Sequence, residues 1–255
     1  MRERPSRAPL VAYVLHHHDW SESSLILDLF TREQGRLVVV AKGAKRPYSQ
    51  LRSVLLPFQR LSVQVGTKKG EEQAEVRLLR SAEWAGGPPM LSGGTVLTGF
   101  YLNELLIKAL ARDDPHPRLF DAYAMTLPVL ARGDDAEVQA ALRAFELVLL
   151  RDMGVLPDLG RITQTLSPVQ GAALHLLRPE VGVSVQTEDE FGIPGASLHA
   201  LQAALDTGEL AGVRQACLAV LPELKTQLRA LLHYHLGTSR LRTRQVMLDV
   251  QRLLA

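Results

Sequence analysis

Three consecutive histidines, His16, His17 and His18, followed by Asp19, are the densest run of metal-ligating side chains in the sequence. Imidazole and carboxylate together suit zinc or iron. Their spacing argues against a shared ion, because successive side chains on a strand point to opposite faces and cannot converge. The plainer expectation is that they close the first strand. His233 and His235 stand two apart on a predicted helix, about 200° around its axis, whereas two ligands on one helical face need a spacing of four. Cys217, the sole cysteine, lies in a run of Ala, Leu and Val and reads as a small buried apolar residue. It has no partner for a disulfide or a multi-cysteine zinc site, and no motif sets a base beside it. The phosphate-cradling loops GxxxxGK[ST] and GxGxxG are missing from the sequence. Asp113 with Asp114, and Asp134 with Asp135, have the composition of a magnesium site for a nuclease, but both pairs fall at predicted helix ends, where acids cap or are solvated. The expectation is therefore no metal, no cofactor and no catalysis.

Charge is more informative. The formal net charge is only +2, yet Gln34 to Gly70 holds eight basic residues and no acid: Arg36, Lys42, Lys45, Arg46, Arg52, Arg60, Lys68 and Lys69. Residues 71–224 carry 11 basic side chains against 21 acidic ones, and residues 225–255 carry six against one. A polyanion-binding module joined to an acidic scaffold has this segregated pattern, although a solvated basic face would share it. Lys42, Gly43, Ala44, Lys45, Arg46, Pro47 and Tyr48 follow a valine-rich strand, which sets cations at a barrel rim with a ring for base stacking. Gly43 allows close approach of the backbone to a phosphate. If about five cations met single-stranded DNA, log K would fall with log salt at a slope of roughly −3.5.

The elements that must position these residues read as follows. Leu10 to Leu15, Leu25 to Thr31, Arg36 to Lys42, the alternation of Leu61, Val63 and Val65, and roughly Ala74 to Ser81 are five short strands. Glu33, Gln34 and Gly35 form one turn and Thr67 to Gly70 another. Five strands in such a length, without long crossover helices, predict a small antiparallel barrel over residues 1–84. AGGPPMLSGGT (85–95) predicts a linker. Beyond it, residues 96–255 predict a mainly helical domain, with helices at Val96 to Ala111, Leu119 to Ala131, Glu137 to Met153, Ser197 to Leu205, Val213 to Leu221, Pro222 to Leu236 and Leu241 to Leu254. Residues 156–194 form an irregular insertion, with one possible strand at Val181 to Gln186. With no stretch of about 18 uncharged apolar residues and no apolar run in MRERPSRAPL, a cytoplasmic location is expected.

Several of these segments together resemble the RecO family of bacterial recombination mediators. VLHHHDWSESSLILDLFTREQGRLVVVAKGAKR (14–46) is similar to the family's N-terminal signature, and LLPF (55–58) to its L-Q-P-F step, with Leu56 in place of Gln. GFYLNELL (99–106) and LRAFELVLL (142–150) resemble its two helical signatures. LGTSRLRTR (236–244) resembles the C-terminal L-G-x-x-x-L-K-S-R, with Thr243 for Ser. The resemblance implies an OB-fold followed by a helical domain. It also implies binding of single- and double-stranded DNA, strand annealing and, with RecR, loading of RecA onto DNA coated by single-stranded DNA-binding protein, in the cytoplasm at the nucleoid. The four-cysteine zinc knuckle of some members is lost, since one Cys remains. Arg143, within the LRxFEL match, becomes a candidate for docking the acidic, Phe-ending tail of single-stranded DNA-binding protein. Its alternative is a surface pair with Glu146 one turn away.

The DNA-contacting residues expected from this reading are Arg36, Lys42, Lys45, Arg46, Tyr48, Arg52, Lys68 and Lys69, with a second patch at Arg240, Arg242 and Arg244. Three cations at a helix N-terminus oppose the macrodipole and call for another explanation. Two other functions fit the bare pattern: an OB-fold RNA-binding accessory protein, separable by competition between RNA and single-stranded DNA, and a metal-dependent nuclease, separable by cleavage with magnesium.

Overall fold

Leu27 and Leu29, Leu37 and Val39, and Leu61 and Val63 are pairs at period two, and each pair puts its side chains inside one barrel with Ala12, Val14 and Leu79. The strands are β1 (Leu10–Asp19), β2 (Leu25–Thr31), β3 (Gly35–Ala41), β4 (Leu61–Gly66) and β5 (Arg77–Trp84), closed in the order β1-β2-β3-β5-β4 with β4 back on β1. Every ladder is antiparallel except that of β3 and β5, which pair in parallel at Val39–Arg77 and Val40–Leu78. This is the expected five-stranded OB-fold barrel. A one-turn helix, α1 (Leu51–Val54), lies between β3 and β4. The computed structural model describes residues 8–66, 75–87, 89–186, 191–237 and 241–254. Two expected strand limits are corrected: β1 runs on from Leu15 through the histidines to Asp19, and β5 lies at 77–84 rather than 74–81.

The chain divides into two compact units, Met1–Asp121 and Ala122–Ala255. The glycine- and proline-rich stretch 85–95 follows the last barrel strand, and the first unit continues through α2 (Gly94–Ala109) into the start of α3 (Pro117–Arg132). The reason lies on the outside of the barrel. Tyr13, Phe30 and Arg36 form one cross-strand row that alternates away from the interior, yet Tyr13 and Phe30 are fully buried. Phe120 covers both, its ring centroid 5.3 Å from each. Burial of a ring of this size stabilises the unit by about 1.5–3 kcal/mol.

Two further contacts fasten α2. A bulge between Val14 and His16 takes Leu15 out of the β1–β2 register, and Asn103 of α2 donates its Nδ2 to the Leu15 carbonyl at 2.9 Å. The Phe58 ring meets Phe100 at 5.0 Å and lies where a Cβ on Gly99 would stand, so the LLPF and GFYLNELL segments meet in space.

In the second unit, α4 (Asp135–Asp152) is capped by Asp134, which accepts from the Glu137 amide at 2.9 Å, and packs against α6 (Leu210–Leu218) and α7 (Leu221–His235). The weakly patterned tract 156–194 contributes a small sheet in the order β7-β6-β8, from β6 (Leu174–Arg178), β7 (Gly182–Val185) and β8 (Ile193–Pro194). It is held by side chains: Gln227 of α7 accepts from the Leu177 amide at 2.7 Å, and Thr163 from the Val183 amide at 2.9 Å. Helices α5 (Gly195–Thr207) and α8 (Arg242–Leu254) complete the unit.

Gly35 has φ +69, and a Cβ there would stand 1.8 Å from the Asp114 carbonyl oxygen. Gly35→Ala is therefore expected to cost more than about 2 kcal/mol, read as a fall in the urea midpoint. An unchanged midpoint would contradict this packing.

Candidate nucleic-acid interface

Strand direction sorts the barrel's connections into two ends. β1, β3 and β5 run toward one end, and β2 and β4 run away from it. The loop between β1 and β2 (20–24), the long connection from β3 to β4 (42–60) and the chain leaving Trp84 all lie at that first end, called here the loop end. The turn between β2 and β3 (32–34) and the strand ends Gly66 and Arg77 lie at the other.

The expected rim cluster is at the loop end. Lys42, Arg46 and Arg52 are exposed, and Tyr48 is 98% exposed. Arg60, counted in the basic window but not among the expected contacts, is exposed at the same end. Among the described residues no carboxylate pairs with Lys42, Arg46, Arg52 or Arg60. Lys45 behaves differently. Its Nζ is 3.0 Å from Asp19 and donates to the Ser21 carbonyl at 3.2 Å, while its amide donates to Ser23 at 3.0 Å. It ties the 42–46 turn to the β1–β2 loop and positions its neighbours. Gly43, at φ +72, closes that turn, with the Arg46 amide donating back to the Gly43 carbonyl at 3.1 Å. Glu22 and Glu83 are the exposed acids nearby in sequence.

Arg36 must be withdrawn from the expected contacts. Its side chain is 12% exposed, lies 3.4 Å from Asp28, and donates to the carbonyls of Ile107 and Leu110, the latter at 2.9 Å. It caps the C-terminus of α2, where the macrodipole is negative. Other arginines at that end are answered in the same way: Arg32 by Asp121 at 2.9 Å, and Arg77 by Asp113 and by Gln34 at 2.6 Å. Lys68, Lys69 and Arg240 lie outside the described residues.

The histidines do not gather. His16 and His18 meet edge-on at 4.3 Å, and burial pushes His16 below the usual imidazole range, with the neighbouring His18 and His17 adding to the shift against the opposing pull of Asp28. Among the described residues no group of three or more His, Cys, Asp and Glu is placed to hold a metal.

In the second unit, Arg242 and Arg244 sit in the first turn of α8, exposed and half-buried. That helix also exposes Val246, Val250 and Leu253. Arg143 is 8% exposed, its Nη2 2.8 Å from a fully buried Glu146 carboxylate. The pair with Glu146 is therefore the arrangement found, but inside the unit and not on its surface. Cys217 is buried beside them, and burial pushes its thiol up to about 12. Native Cys217 should resist iodoacetamide and react only on unfolding; rapid native alkylation would contradict its burial. Arg143→Ala should cost about 3–5 kcal/mol in urea unfolding by taking the guanidinium away from a buried carboxylate. Unchanged stability would overturn the buried pair. The sequence reading did not single out Trp20 and Trp84, which are exposed at the loop end.

The chain matches the family model described as Recombination protein O N terminal over residues 9–85 and that described as Recombination protein O C terminal over residues 92–245. It is 52% identical over 244 residues to the DNA repair protein RecO of a Polaromonas species, covering 95% of this chain and 96% of the relative. It is also 52% identical over 253 residues to that of Polaromonas naphthalenivorans, covering 98% and 99%. With that of Albidiferax ferrireducens it shares 50% identity over 244 residues, 95% of each chain. Among the described residues no helix is long and apolar enough to cross a membrane. An OB-fold barrel, a helical unit and full-length similarity at this level agree, and the chain belongs to the RecO family of DNA repair proteins.

Proposed function

We propose that this chain is a recombination mediator whose barrel binds single- and double-stranded DNA at its loop end and brings complementary strands together to anneal. With RecR, it helps RecA load onto DNA coated by single-stranded DNA-binding protein, in the cytoplasm at the nucleoid. The observation that carries the DNA-binding part is the unequal fate of the cations. Arg32, Arg36 and Arg77 are satisfied by acids or carbonyls within the first unit, whereas Lys42, Arg46, Arg52 and Arg60 project from the β3–β4 connection at the other end with no carboxylate against them among the described residues. Uncompensated cations on a rigid rim gain most by meeting phosphates and releasing counterions.

The partner steps rest on family membership. The helical unit is the part proposed to engage partner proteins. Arg143 would have to leave Glu146 to meet the carboxylates of the single-stranded DNA-binding protein tail, so the proposal places that tail on exposed cations of the unit and gives Arg143 a structural role. Arg242 and Arg244 remain proposed as a second DNA-contacting patch, on a different unit from the rim.

Charge reversal tests the rim. Lys42→Glu, Arg46→Glu and Arg52→Glu combined should weaken binding to a single-stranded oligonucleotide and flatten the plot of log K against log salt by about 0.7 per lost phosphate contact. Arg132→Glu, exposed at the end of α3, should change neither. Equal loss in both proteins, or an unchanged slope in the triple variant, would overturn the assignment.

A further inference from the structure

This chain contains two tryptophans, Trp20 and Trp84. Both are at the loop end of the barrel, 66% and 65% exposed. Indoles bury more apolar surface than other side chains and are costly to leave in water, so two of them at the end that carries the rim cations are a poor solution for stability alone. Trp20 opens the β1–β2 loop, its amide donating to the Ser24 carbonyl at 3.1 Å, in the segment that Lys45 ties down. Trp84 ends β5, and its Nε1 donates to Gln59 Oε1 at 3.2 Å, which orients the ring while most of its surface stays in solvent. The Ala85 amide, next in sequence, donates to the Arg60 carbonyl at 2.8 Å, so Trp84 is anchored beside a rim cation.

An aromatic face recognises the π-face of an unpaired base, which a duplex hides in its stack. We propose that Trp20 and Trp84 stack on unpaired bases, so that the loop end holds single-stranded DNA by rings as well as by charge and favours it over duplex. This rests on the reading of the loop end as the DNA-binding surface. Lys42, Arg46 and Arg60 would meet the phosphates of the strand whose bases the indoles receive. The indoles confer no sequence preference, because every base has such a face.

Because both indoles are at the proposed site, intrinsic fluorescence reports on it directly. The full chain is titrated with oligothymidylate of about 16 nucleotides, with an abasic oligodeoxynucleotide of equal length and with duplex, while anisotropy of a labelled copy of each reports binding separately. Unlabelled oligothymidylate should quench the tryptophan emission, and the abasic strand should bind without quenching. Trp20→Phe and Trp84→Phe should retain affinity and assign the quenching to each remaining indole. Trp20→Ala and Trp84→Ala should each weaken oligothymidylate binding about tenfold and leave abasic and duplex binding unchanged. Binding by anisotropy with unquenched emission, or equal losses on oligothymidylate and the abasic strand, would overturn the stacking proposal and leave DNA binding intact. No anisotropy change with any DNA would overturn the reading beneath it, and the stacking with it.

Discussion

Val39 and Val40 of β3 pair in parallel with Arg77 and Leu78 of β5, and this ladder governs the rest of the first unit. Antiparallel hairpins alone would let the sheet stay open. The parallel step brings β5 beside β3 and leaves β4 free to close on β1, so β5 points the same way as β1 and β3. A closed barrel has no free edge strand to pair with other chains. It also has two unlike ends. The connections carrying Trp20, Lys42, Arg46, Tyr48, Arg52 and Arg60 leave one end together with Trp84, although these residues are scattered over the first third of the sequence.

The opposite end shows what happens to cations when a fold has other uses for them. Arg36 is set on the outer face of β3 by the same alternation that puts Leu37 and Val39 inside. There it meets the last carbonyls of α2, which need donors, and Asp28 beside it, which needs a cation. The apolar half of that outer row, Tyr13 and Phe30, is closed by Phe120. The barrel therefore has two hydrophobic layers, one inside and one between its wall and the helices that follow, and the second accounts for a compact unit that continues to Asp121. In that layer the Leu15 carbonyl, which the bulge takes out of the ladder, is met by the Asn103 amide.

Local pattern revealed much of this architecture. β2 spans the residues its alternation predicts, Leu25–Thr31, because leucines at period two leave only one register that buries them. Among the described residues the seven longer helices follow their apolar periodicity, and the part of the acid-free window from Lys42 to Arg60 stands at a rim because exposed connections keep their charges in water. What the sequence did not reveal depends on distant partners. Arg36 reads like any other cation until the end of α2 is placed against it. Arg143 reads as a surface residue because its spacing to Glu146 fits an exposed helical pair, and only the packing of α6 and α7 over α4 buries both. In the small sheet, β7 falls within the possible strand at Val181 to Gln186, whereas β6 and β8 have no counterpart in the pattern, because they are short and the sheet is fastened by Gln227 and Thr163. Trp20 and Trp84 escaped notice because large aromatic residues are expected in a core, and exposure is a property of the folded barrel rather than of the residue type.

The central claim is that the loop end of the barrel is the surface that meets DNA. Hydrogen exchange by mass spectrometry, on the full chain with and without a saturating single-stranded oligonucleotide, tests it most directly. The account predicts slowed exchange in residues 20–24 and 42–56 and in the segment leaving Trp84, with the β2–β3 turn at 32–34 unchanged. Protection confined to that opposite turn and the neighbouring start of β5, with residues 42–56 exchanging as before, would contradict it.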